Sequence, residues 1–151
     1  MTVNIENIAS ELAIRNLVAR FANSATPPNY DGIASVWTPD AVWSLSAPFQ
    51  MEAHGVDAIN TMARDLLEPR EFFVQFVHSG EVEVDGDSGT GSWILQEVAR
   101  GPGETYYNNY ALYEDVYKRI DGKWYFAERH YKYVFLDDTA FPGESFPVTR
   151  G

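Results

Sequence analysis

Hydrophobic residues near the start of the chain recur at the three- and four-residue spacing of a helix, between Asn4 and about Ala25. The positions are Ile5, Ile8, Leu12, Leu17, Val18 and Phe21. Asn4 is a suitable N-cap because its side chain can accept hydrogen bonds from free backbone N–H groups. Two consecutive prolines, Pro27 and Pro28, must end this helix. The pattern predicts a short helix over 30–37 and a third helix over 55–67.

Beyond Pro69 the pattern changes to the two-residue alternation of β-strands. It predicts strands over 72–84, 89–100, 105–119 and 123–135, with an earlier short strand over 41–45 after a turn at 38–40. Asp-Gly pairs at 85–86 and 121–122 indicate tight hairpin turns. Helices that precede a strand meander predict an α+β domain over 1–151, with irregular tails at 1–4 and 137–151.

Alternation also predicts which side chains face inward. On the strand after the third helix, Glu81 and Glu83 share a face that should be exposed, so His78 is expected on the inner face. On the last strand, Arg129 shares a face with Tyr131 and Tyr133. A buried arginine needs a carboxylate or a ligand to pair with it. For the strand with Trp93 and Glu97, alternation alone does not decide which set faces inward.

Composition excludes several functional classes. The 151-residue chain has a net charge of −11, which argues against binding to nucleic acid or anionic membranes. It has no cysteine, so disulfides and thiolate chemistry are excluded, and the spacing of the three histidines matches no metal motif. No signal peptide or membrane span is visible, and a cytoplasmic protein is the expectation. Aromatic residues reach 15%, enough for some rings to line a cavity.

Two segments resemble the SnoaL-like branch of the nuclear transport factor 2-like superfamily: Thr38-Pro39-Asp40-Ala41-Val42-Trp43, and 117–124 around the second Asp-Gly turn. The resemblance extends roughly over 8–135. It implies a cone-shaped domain in which a strongly curved, mixed or antiparallel sheet wraps around three N-terminal helices, with a ligand in the open mouth. It also implies a homo-oligomer, either a trimer or a dimer, and a small hydrophobic substrate. No metal is expected from the histidine spacing, and no cofactor is expected because the reaction would be proton transfer alone.

In the relatives a histidine acts as general base, and it matches His78; an arginine that assists the leaving group matches Arg129. The aspartate that orients the histidine is replaced by Thr26, so the usual dyad is missing as aligned. The same alignment turns Glu97 toward the cavity, where it would replace that carboxylate or pair with Arg129. The expected substrate-binding residues are Tyr30, Trp43, Trp93, Tyr113, Tyr131 and Tyr133.

These residues predict a cofactor-independent lyase that eliminates water or a small carbon fragment from an aromatic or cyclic molecule. An isomerase, a cyclase or an epoxide hydrolase on the same fold is an alternative. A non-catalytic protein that binds a small ligand is another, because Thr26 cannot stabilise an imidazolium by charge. For each residue a structural role competes: His78 as a hydrogen-bonded core residue, Arg129 in an ion pair with Glu97 or Asp115, and the aromatic rings as ordinary core.

Overall fold

A computed structural model describes residues 3–151 of the chain. It has three helices, α1 (Ile5–Ser24), α2 (Tyr30–Ala34) and α3 (Val56–Leu67). The six strands are β1 (Trp37–Leu45), β2 (Met51–His54), β3 (Phe72–Asp85), β4 (Ser88–Gly101), β5 (Thr105–Ile120) and β6 (Lys123–Asp137). All strands form one sheet in the order β2-β1-β6-β5-β4-β3, in which only the β1–β6 pair is parallel. The predicted α+β fold with three helices and a mixed sheet is confirmed.

Helix α1 begins as predicted, because the Asn4 side chain accepts hydrogen bonds from the backbone N–H groups of Glu6 and Asn7. Its expected apolar face is only half buried. Ile5, Ile8 and Leu12 are exposed, and the buried apolar positions start at Ile14. The first half of α1 therefore extends beyond the core that its spacing predicted it would cover.

Element boundaries differ from the prediction in the first third of the chain. The predicted turn at 38–40 belongs to β1, whose register with β6 is irregular between Trp37 and Val42. Helix α2 correspondingly ends at Ala34 instead of residue 37. The four-residue strand β2, which pairs with the end of β1, was not predicted. Of the expected irregular tails, residues 1 and 2 lie outside the described residues, and 138–151 contain no helix or strand.

The core lies between the helices and the inner face of the sheet. Phe21 of α1 is near its centre and makes edge-on contacts with Trp37, Trp43 and Phe126, at ring-centroid distances of 5.7, 5.8 and 5.9 Å. Such edge-to-face pairs are a favourable arrangement of aromatic rings. Within residues 3–151, no helix has the length and apolar character needed to cross a membrane.

A β-bulge in β3 changes which side chains face this core. Val77 pairs with Leu95, but the next pair is Gly80 with Trp93, so His78 and Ser79 together lie opposite one residue of β4. Such an extra residue reverses the facing pattern on its two sides. A Cβ atom at position 80 would overlap the Trp93 indole, so this close approach requires glycine.

Candidate active site

A cavity of about 80 Å³ opens between α1, α3 and the inner face of the sheet. Its wall is mostly apolar and aromatic, as is common for small-molecule sites. The aromatic residues of the wall are Phe21, Trp43, Phe49, Phe73, Tyr107, Tyr113, Tyr131 and Tyr133. The remaining side chains that can hydrogen-bond are Arg70, Gln75, Glu97 and Asn109.

Glu97 is the central polar group of this wall, and only 8% of its surface is exposed. Its Oε1 accepts a hydrogen bond from Gln75 Nε2 at 2.7 Å, and its Oε2 accepts one from the Tyr131 hydroxyl at 2.8 Å. The same Gln75 nitrogen donates to the Tyr113 hydroxyl at 3.2 Å. We call Gln75, Glu97, Tyr113 and Tyr131 the cavity cluster.

Burial raises the pKa of Glu97, because a carboxylate loses hydration when it is moved away from water. Hydrogen bonds from Gln75 and Tyr131 and the charge of Arg129 oppose this rise. Burial also raises the pKa of Tyr131, which keeps its hydroxyl protonated as a donor. The cavity cluster therefore places a carboxyl group with an increased preference for its proton beside open space.

Two amide oxygens of the wall have no hydrogen-bond partner in the described chain. They belong to Gln75 and Asn109, whose side chains are 9% and 5% exposed. Buried polar atoms are normally satisfied, and these two oxygens have almost no accessible surface, so a ligand could reach them only if the side chains rotated.

A second polar cluster lies next to the first but does not border the cavity. Arg129, 0% exposed, donates from Nε and Nη2 to the two oxygens of Asp115, at 3.0 and 3.2 Å. Asp115 also accepts a hydrogen bond from the Tyr117 hydroxyl, which accepts one from the Trp93 indole. The guanidinium lies 3.5 Å from the centre of the Tyr113 ring. We call Trp93, Asp115, Tyr117 and Arg129 the closed cluster.

The predicted inward orientation of His78 is wrong. The bulge turns Gln75 inward instead, and the imidazole of His78 is exposed and stacked on Phe76, with ring centroids 6.2 Å apart. Arg129 is buried, but in an ion pair with Asp115 and outside the cavity wall. The predicted convergence of His78 and Arg129 on one hollow is therefore wrong as well.

The other predicted site residues divide into two groups. Trp43, Glu97, Tyr113, Tyr131 and Tyr133 line the cavity, and their part in binding or catalysis stays a prediction. Tyr30 and Trp93 do not line it. Tyr30 packs beneath the Arg64 guanidinium at 4.0 Å, and Trp93 belongs to the closed cluster.

Sequence reasoning missed Arg70, Gln75 and Asn109. Asn109 could have been found, because alternation along β5 puts it on the same face as Tyr113 and Asp115. Gln75 was hidden by the bulge, and no pattern marks Arg70. At the predicted dyad position, the Thr26 hydroxyl donates to the backbone carbonyl of Phe73 at 2.9 Å. In the described chain, no three His, Asp or Glu side chains converge as metal ligands would.

Comparison with known proteins matches residues 6–130 to the model of a family described as SnoaL-like domain. Among solved structures, type 2 hexachlorocyclohexane dehydrochlorinase, LinA, is 22% identical, with a TM-score of 0.80 over 93% of this chain and 95% of that chain. The LinA-type3 enzyme of Novosphingobium barchaimii LL02 is 20% identical, with a TM-score of 0.79 over 94% and 97%. At these identities the similarity shows a shared fold.

A third similar structure comes from Novosphingobium aromaticivorans DSM 12444 and is assigned provisionally as a scytalone dehydratase. It is 16% identical, with a TM-score of 0.79 over 95% of this chain and 96% of that chain. The fold therefore recurs, at near full length, in proteins named for different reactions.

Proposed function

Because the chain belongs to the SnoaL-like domain family, we propose that it is a cofactor-independent lyase whose acid/base group is Glu97. The substrate is a small cyclic or aromatic molecule held in the cavity. The reaction is an elimination, such as loss of water next to an activating carbonyl group. LinA, a dehydrochlorinase by name, shares the fold and supports elimination chemistry as the first choice.

The observation on which the proposal rests is the environment of Glu97. A buried carboxyl group, hydrogen-bonded by Gln75 and Tyr131, borders an apolar cavity. A carboxylic acid with a raised pKa keeps its proton to a higher pH than an ordinary carboxyl group does, and can donate it there. Gln75 and Tyr131 fix the direction in which that group acts.

The proposed step is a proton exchange at one carboxyl group. Protonated Glu97 donates its proton to the substrate hydroxyl, the carbon–oxygen bond breaks, and water leaves. The resulting carboxylate takes the proton from the neighbouring carbon, which forms the double bond and restores the acid. Tyr131 and Gln75 stabilise the transient carboxylate by donating hydrogen bonds to its two oxygens.

A panel of cyclic β-hydroxy ketones, followed by ultraviolet absorption of the conjugated product, tests the proposal. In Glu97→Gln we expect kcat to fall by about 10²- to 10⁴-fold, the usual contribution of a general acid–base group. Glu114→Gln is the matched control, because Glu114 is exposed and pairs with Lys132. Activity of the wild type should decrease as pH rises through the pKa of Glu97, since the acid form is the active one. Full activity of Glu97→Gln would refute the assignment.

An isomerase would use the same carboxyl group but return the proton to the substrate. Turnover in deuterium oxide separates the two reactions, because an isomerase incorporates deuterium without losing water.

A non-catalytic protein that binds a small ligand is the second candidate function. Two observations favour it: His78 is exposed, and the Thr26 hydroxyl donates a hydrogen bond to the backbone. The catalytic His–Asp dyad of the relatives therefore has no counterpart at these two positions. Binding of panel compounds by the wild type without any turnover would support this candidate.

We also propose that the outer face of the sheet mediates self-association. Neighbouring strands align Phe76, Gln96, Tyr110 and Phe135 in one row, and its three aromatic side chains are 45%, 43% and 59% exposed. Exposed apolar patches of this kind often mark interaction sites. Sedimentation equilibrium, which gives the mass in solution, tests this proposal.

A further inference from the structure

We propose that Arg70 binds a carboxylate group of the ligand, so that the substrate is a cyclic or aromatic acid. This inference rests on the proposed function of the cavity and specifies the substrate class. Among the described residues, Arg70 is the only basic side chain of the cavity wall.

Local contacts hold the Arg70 side chain in place. It follows Pro69 just after α3, and its Nε donates to the backbone carbonyl of Leu66 at 3.1 Å. The guanidinium lies 4.3 Å from the centre of the Tyr107 ring. A Cβ atom on Gly101 would lie 3.3 Å from Arg70 Nη1, so the guanidinium also packs against this backbone. A guanidinium held in this way loses little freedom when it binds a ligand.

Arg70 has no carboxylate partner among residues 3–151, within 4.0 Å of its guanidinium. The adjacent acid, Glu71, is not available to it. Both Glu71 oxygens accept hydrogen bonds from Arg100, at 2.8 Å each, and Ser145 donates to one of them. These bonds also lower the pKa of Glu71 to about 2.

An arginine without a counter-ion in an aromatic wall is suited to a planar oxyanion. Its terminal N–H groups form a fork that matches a carboxylate in a bidentate arrangement. The chain carries a net charge of −11, so its overall field disfavours anions, and an anionic ligand needs a local cation such as Arg70. Glu97, the acidic residue of the wall, does not oppose such a ligand when it is protonated.

Isothermal titration calorimetry with 4-hydroxybenzoate and 4-hydroxybenzamide tests this proposal, because the two probes have nearly the same shape and differ in charge. We expect wild type to bind the acid roughly 10- to 100-fold more tightly, the range for hydrogen bonds to a charged group. Arg70→Gln should abolish this preference and Arg70→Lys should retain part of it. Arg64→Gln is the control, since Arg64 lies over Tyr30 outside the cavity wall, and it should behave as wild type.

The proposal is overturned if wild type binds neither probe, if it binds both equally, or if Arg70→Gln keeps the preference. Should Arg70→Gln fail to fold, a preference in Arg70→Lys equal to that of wild type overturns it instead. Glu97→Gln keeps the preference for the acid if the ligand class is correct, whatever its turnover. A wrong reaction and a wrong ligand class are thus distinguished.

Discussion

The cavity cluster and the closed cluster stabilise a buried carboxyl group in two different ways. Each contains a buried carboxyl group on the inner face of the sheet, Glu97 on β4 and Asp115 on β5. Each accepts a hydrogen bond from a tyrosine hydroxyl, at 2.8 Å for Glu97 and 2.7 Å for Asp115. Burial is the main cause of a raised pKa in both. Asp115 has Arg129 in direct contact, whereas Glu97 has only neutral donors and borders empty space.

This difference separates a structural carboxylate from a candidate catalytic one. A charge pair enclosed by protein has no route to a substrate, and its geometry is fixed by two hydrogen bonds. A carboxyl group compensated by neutral donors can exchange its proton with a ligand at little cost to its surroundings. The resemblance implies a base at His78 and a leaving-group arginine at Arg129, whereas we propose the acid/base role for Glu97 on β4.

Removing the charge of the closed cluster should give the largest effect on stability. In Arg129→Met, Asp115 loses the only ion-pair partner that it has within residues 3–151, and we expect the free energy of unfolding to decrease by about 3–5 kcal/mol. Urea denaturation followed by tryptophan fluorescence measures this change. The double variant Arg129→Met/Asp115→Leu should recover much of the loss. If Arg129→Met alone is as stable as wild type, Asp115 is already neutral and the two clusters do not differ as described.

Removing one tyrosine hydroxyl from each cluster sharpens the comparison. Tyr117→Phe leaves the Trp93 N–H without its acceptor and removes one of the two hydrogen bonds to Asp115 Oδ2, so it should lower the unfolding free energy by about 1–3 kcal/mol. Its binding of 4-hydroxybenzoate should be unchanged. Tyr131→Phe should instead lower kcat, because it removes a donor to Glu97. Equal losses of stability and activity in both variants would show that the clusters act as one unit.

The smallest effect is expected for a residue outside both clusters. His78→Ala should change the unfolding free energy by less than about 0.5 kcal/mol, because the imidazole is exposed, and it should leave turnover of the ketone panel intact. Turnover of His78→Ala and of Glu97→Gln, assayed side by side, measures the difference between the two residues. A strong loss of turnover in His78→Ala would indicate that His78 is the general base, as the family resemblance implies.

The sequence predicted the elements and the fold better than the site. Strands β3 to β6 and their turns follow from alternation and two Asp-Gly pairs, which are local signals. Tyr131 and Tyr133 share one face by alternation, because β6 is regular from Glu128 to Tyr133, between its two register shifts. Tyr113 was expected on the wall from the resemblance.

The errors in the site come from features that no local pattern reports. The bulge between Val77 and Gly80 depends on pairing with β4, and alternation continued across it turned His78 inward and Gln75 outward. Arg129 was correctly expected to be buried, but the choice between Asp115 and Glu97 as its partner needed the register of β5 and β6. Arg70 became a candidate only because Glu71 pairs with Arg100, a contact between distant segments.

The bulge in β3 has a consequence for how relatives of this chain are compared. If a relative has one residue more or fewer between α3 and the bulge, an alignment without a gap pairs the wrong residues at every later position. Two homologues can then share a histidine in one column while their equivalent positions in space hold different residues. Functional roles in this part of the family are therefore best transferred after superposition, by asking which side chain reaches the cavity.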